Sequence, residues 1–133
     1  MRNRVSTKER EKFVRAMTEE VAKTLAAQGR LFDEGGTHRF EVEALARRIL
    51  RWGRTHGRLA EEACNRELTE REQTMDARSE VRISAACAEL SKLASASFVA
   101  VFSGDPRGHT VKIRVPSGRT DDWGSVGLCV PTS

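Results

Sequence analysis

The apolar pattern of this chain changes period at Ser97, and that change decides which folds are open to it. Upstream, hydrophobic residues recur every three to four positions, as on one face of an α-helix. Downstream they cluster or alternate, as on strands. Ser97-Phe98-Val99-Ala100-Val101-Phe102 leads into Ser103-Gly104-Asp105-Pro106-Arg107-Gly108, and Val111, Ile113 and Val115 then alternate with Lys112 and Arg114. Proline suits the fixed φ of a turn and the glycines admit positive φ, so the two runs read as an antiparallel hairpin. Phe98 to Phe102 is apolar on both faces, which predicts a strand covered on both sides; the second strand is half exposed. A lone hairpin is marginal in water, and a third strand at about 126–130 (Val126, Leu128, Cys129, Val130) would complete the sheet.

Three helices precede the sheet. Ser6-Thr7-Lys8-Glu9 has the form of a capping box; Phe13, Val14, Met17, Val21 and Leu25 follow at helical spacing, and Gly29 ends the pattern. This predicts helix one at about 7–28. In helix two, Val42, Leu45, Ala46, Ile49, Gly53, His56, Ala60 and Ala63 keep one phase, with Trp52 and Leu59 on the margin. The continuous face favours one helix over about 40–66, although Gly53 and Gly57 each cost about 1 kcal/mol against alanine and could mark a break. Thr69 to Glu72 forms a second capping box and opens helix three at about 69–95. Its stripe is Met75, Ile83, Ala86, Cys87, Leu90 and Leu93, with Val81 and Ala85 beside it. A short turn between helices two and three implies antiparallel packing.

The expectation is an α+β fold: one domain over 1–133, helical over 7–95 and β over 97–131, with the helix-two/helix-three hairpin on one sheet face. With 133 residues the chain can bury a core without staples. Tyrosine is absent and the aromatics are five Phe and two Trp, so that core must be aliphatic and alanine-rich. Such a core is thin and predicts modest stability or support from a homodimer. No run approaches the ~20 apolar residues of a membrane span, and no apolar stretch follows the basic N-terminus as in a secretory signal. Cys64, Cys87 and Cys129 are too few, and odd in number, for a disulfide scaffold, which points to the cytoplasm.

The net charge of +4 is unevenly spread: residues 1–58 carry a balance of +6, residues 59–96 of −3 and residues 97–133 of +1. A basic first half permits nucleic-acid binding without requiring it. Arg47, Arg51, Arg54 and Arg58 step by four, three and four, so they share a narrow sector of helix two opposite its apolar face, with Arg48 to one side. Such a ladder suits phosphates or an acidic protein surface. The plainer reading is a solvated face compensated by Glu43, Glu61 and Glu62.

Lys112 and Arg114 share a strand face, with Arg107 and His109 at the turn and Arg119 beyond. They can meet a partner, or simply keep a strand from pairing with other chains. Trp123, in Thr120-Asp121-Asp122-Trp123-Gly124, is either a partner anchor or a lid over the sheet. Metal and catalytic signals are weak. The three cysteines, His56 and His109 include no closely spaced ligand pair of the kind that nucleates a zinc site, and no nucleophile–base spacing or phosphate loop is present. No catalytic, metal or cofactor residues are assigned.

Several motifs resemble small accessory proteins of tailed bacteriophages and prophages. They are Cys64-Asn65-Arg66-Glu67-Leu68-Thr69-Glu70-Arg71-Glu72, Gly104-Asp105-Pro106-Arg107-Gly108, Val111-Lys112, Pro116-Ser117-Gly118-Arg119 and Asp122-Trp123-Gly124, spread over roughly residues 58–130. The resemblance implies a setting in the host bacterial cytoplasm. Proteins of this kind often bind a host protein or ribonucleoprotein, and inhibitors of host defence, including anti-CRISPR proteins, are one such class. It carries over no site residue. The leading expectation is therefore a non-enzymatic accessory protein that occludes a host macromolecule; the alternative is a DNA- or RNA-binding module working through the arginine stripe.

Overall fold

The computed structural model describes residues 7–102, 110–116 and 128–129. Helices α1 (Thr7–Ala27), α2 (Arg39–Ala63) and α3 (Glu70–Ala94) precede strands β1 (Val99–Phe102), β2 (Thr110–Arg114) and β3 (Leu128–Cys129). The fold is the expected α+β arrangement, three helices followed by a small antiparallel sheet.

The first helix ends as its pattern requires, with Gly29 taking φ of 73° just beyond it. Helix α2 runs unbroken through Gly53 and Gly57, both buried. Packing therefore outweighs the two glycine penalties, and the continuous apolar face is the better guide. The chain leaves α2 at Ala63, three residues before the expected end, in a turn closed by the Cys64, Asn65 and Arg66 amides. At the start of α3 the Thr69 hydroxyl accepts the Glu72 N–H, and the Glu72 carboxylate accepts the Thr69 N–H at 2.8 Å. The second capping box is thus formed. Ser6, and with it the first capping box, lies outside the described residues.

Along α3 the expected stripe holds, with Met75 and Leu93 half-buried at its ends. Ile83, Ala86, Cys87 and Leu90 are buried, but so is Ser79, whose hydroxyl returns to the Met75 carbonyl. Val81 is 66% exposed. Helix α3 contacts α2 along its length and α1 only slightly, so one narrow stripe suffices.

The sheet is a meander in the order β1-β2-β3, both pairs antiparallel. Val99 faces Arg114 and Phe102 faces Val111 across the first pair. Val111, Ile113 and Val115 are buried against the helices, while Arg114 is exposed, so β2 alternates as predicted. The expectation that β1 would be covered on both faces is corrected. Val99 is 43% exposed, and the buried anchor is Phe98, one residue before the strand. Its N–H donates to the Ser91 hydroxyl at 2.8 Å, which ties the start of the sheet to α3. The core joins Phe13, Met17, Val21 and Leu25 of α1 to the inner faces of α2, α3 and β2. The turn residues 103–109 lie outside the described residues.

Candidate functional site

Helix α1 lies along one flank of α2, and the seam between them is basic. A groove of about 540 Å³ is lined by Arg10 and Arg15 of α1 and by Arg39 and Arg47 of α2, with Glu11, Glu19 and Glu43 among its carboxylates. A second hollow of about 260 Å³ shares Arg10 and Arg47 with the groove and adds Leu50, Arg51 and Arg54. Four arginines thus line one depression together with Leu50, which is 4% exposed.

The four stripe arginines occupy different environments. Arg47 and Arg51 are exposed, and among the described residues neither has a carboxylate within ion-pair distance. Arg51 instead lies 5.8 Å from the Trp52 ring centroid, and Arg82 of α3 covers that ring at 4.8 Å. Arg54 is half-buried and belongs to the hollow shared with α1. Arg58 differs: its guanidinium lies 3.5 Å from Glu62, one helical turn on, and contacts the Met75 sulfur. The compensating carboxylate expected at Glu62 is therefore present at the C-terminal end of the ladder, whereas the N-terminal end keeps its charge.

Arg66 bridges Glu62 at 2.9 Å and Glu72 at 2.6 Å. The hydrogen bond from Arg66, reinforced by the Thr69 amide, holds the Glu72 carboxyl down to about 2. Beside α3, Arg48 pairs with Glu89 at 3.2 Å.

Lys112 and Arg114 do not line the groove. Lys112 is half-buried and Arg114 exposed, and both alternate with the helix-facing Val111, Ile113 and Val115, so they belong to the far side of the sheet. Arg107, His109, Arg119 and Trp123 lie outside the described residues.

A second cluster sits between α2 and α3. His56 is 5% exposed, and its Nδ1 lies 2.6 Å from the Asp76 carboxylate and 3.9 Å from that of Glu80. The Phe102 ring meets the imidazole edge-on, with centroids 5.2 Å apart. Of the candidate metal ligands weighed from sequence, His56, Cys64 and Cys87 are not brought together among the described residues. Cys64 is exposed beyond the C-terminus of α2, and Cys87 is buried in α3, where burial pushes its thiol up to about 12. The Cys129 side chain and His109 lie outside the described residues.

Sequence reasoning missed Arg10 and Arg15, because a ladder read along helix two alone cannot include them, and Arg39, because the helix was expected to begin at about 40. Their contribution depends on which flank of α2 receives α1, and no local pattern encodes that. The His56 cluster did carry a signal. In an antiparallel hairpin turning near residue 66, positions ten before and ten after the turn come opposite one another, and those are His56 and Asp76.

Comparison with protein-family models, with curated proteins and with solved structures returned no match.

Proposed function

We propose that this protein acts by surface contact rather than by chemistry, and that its α1/α2 groove receives the phosphates of a nucleic acid, either free or within a host ribonucleoprotein. One observation carries the reading: Arg10, Arg47, Arg51 and Arg54, drawn from two helices, converge on a single hollow. Like charges repel, and among the described residues Arg47 and Arg51 have no carboxylate within ion-pair distance; a phosphate bound there would turn the repulsion into attraction. Exposed guanidinium groups suit this role because they present several donors in a fixed plane and cannot deprotonate. The resemblance to phage accessory proteins supports placing this contact in an infected host, where occluding a nucleic-acid-bearing complex would act as an anti-CRISPR-type inhibitor does.

Fluorescence anisotropy with labelled DNA and RNA across a salt series tests the reading. The expected affinity falls steeply with salt, and Arg10→Gln with Arg47→Gln should flatten the slope of log K against log salt by about one for each phosphate that the variant no longer neutralises. A host protein captured equally well after nuclease treatment, and equally well by the double variant, would overturn the groove as the contact surface. Binding that ignored the double variant altogether would do the same for the nucleic-acid reading.

A further inference from the structure

We propose that His56, Asp76 and Glu80 form a binding site for a divalent transition-metal ion of the zinc class. It lies between α2 and α3 and does not depend on the arginine groove.

Three observations carry it. The first is the donor set. One imidazole nitrogen and two carboxylate oxygens, all within 4.8 Å of one another, converge from two helices. Imidazole with carboxylate is a chemistry that zinc-class ions accept. Asp76 and Glu80 stand four residues apart on α3 and so project from one face towards the histidine opposite.

The second is charge. Among the described residues no lysine or arginine lies within ion-pair distance of Asp76 or Glu80; their only described ionic partner is His56. In a chain of net charge +4, two carboxylates have been gathered around a neutral-or-singly-charged ring and left short of positive charge. A divalent ion supplies what is missing.

The third is fit. Ligand atoms about 2.1 Å from a tetrahedral ion stand about 3.4 Å apart. The two carboxylate oxygens now lie at 2.6 and 3.9 Å from Nδ1, one inside that spacing and one outside it. The two carboxylates are 27% and 45% exposed, which leaves their side chains room to adjust towards that spacing. His56 itself is held by burial and by the edge contact with Phe102, so it needs no reordering on binding. Three protein ligands would leave a fourth position for water.

Zinc titrated into the chelator-stripped full chain, followed by calorimetry, with cobalt substitution followed by visible absorption, provides the test. The expected result is one ion per chain and cobalt bands of a low-coordinate site. Glu80→Gln and Asp76→Asn should each weaken binding by at least about tenfold, while Cys64→Ser changes nothing. Glu80 is exposed enough for its variant to fold, which keeps the comparison valid even if Asp76→Asn disturbs the hairpin. No saturable binding up to about 100 μM zinc, an unchanged affinity in Glu80→Gln, or loss in Cys64→Ser instead would overturn the site.

Discussion

A thiol reacts as its thiolate, so the environments of Cys64 and Cys87 should separate them sharply. Cys87 lies on the buried stripe of α3, 2% exposed, and burial lifts its thiol to about 12. Cys64 is exposed just past the end of α2, its sulfur within 3.4 Å of the Ala60 carbonyl. Iodoacetamide at neutral pH should therefore label Cys64 at least about a hundredfold faster than Cys87, as read by peptide mass spectrometry over time. Comparable rates would mean that α3 detaches from the core readily. The core role of Cys87 was legible because it continues an alanine-rich periodic stripe. The role of His56 was legible only in part. Its inward position followed from helical phase, but the carboxylates it would meet belong to another helix.

The two ends of α3 show how far local sequence reaches. At its start, Thr69 and Glu72 are three residues apart, and their reciprocal bonds can be read from that spacing alone. Arg66 adds a cation that holds Glu72 ionised down to about 2, below its ordinary 4.5. A carboxyl with a depressed folded-state pKa stabilises the fold above its unfolded value and loses that contribution as pH falls through the folded one. The stability gap between the wild type and Glu72→Gln should thus be full above pH 4.5 and close as pH drops towards about 2. Urea unfolding at stepped pH measures it; a gap that stays constant through that window would show that Glu72 has no special partner in the fold. At the other end Ser95 takes the left-handed conformation, with φ of 52°, and the Ser95 and Ala96 amides return to the Ser91 carbonyl, but no glycine marks that cap in the sequence. Gln28 donates to the Ala94 carbonyl at 2.7 Å, and Thr37, 1% exposed, donates to that of Leu93 at 3.0 Å. Those partners lie 66 and 56 residues away in sequence, so these two carbonyls are satisfied by tertiary structure and could not be anticipated.

Across the whole molecule, the core residues and the groove arginines are distinct sets, and this makes the functional reading testable through stability. The α+β order, the unbroken α2 and the meander were legible because each rests on periodicity within one segment. The groove was not, since it arises where α1 docks against α2 through Met17, Val21 and Leu25, all fully buried. Met17→Ala should cost about 2–5 kcal/mol, as truncations in a close-packed core do. Arg10 and Arg47 pose the opposite case. They line both hollows, and Arg47 has no carboxylate within ion-pair distance among the described residues. If they are gathered for a ligand, they strain the empty protein by mutual repulsion, and replacing them removes that strain. Thermal unfolding of Arg10→Gln with Arg47→Gln should then show stability unchanged or raised by up to about 1 kcal/mol, while phosphate binding falls. A decrease above about 1 kcal/mol would instead make the two arginines part of the scaffold, and the hollow a by-product of packing rather than a place where a phosphate sits.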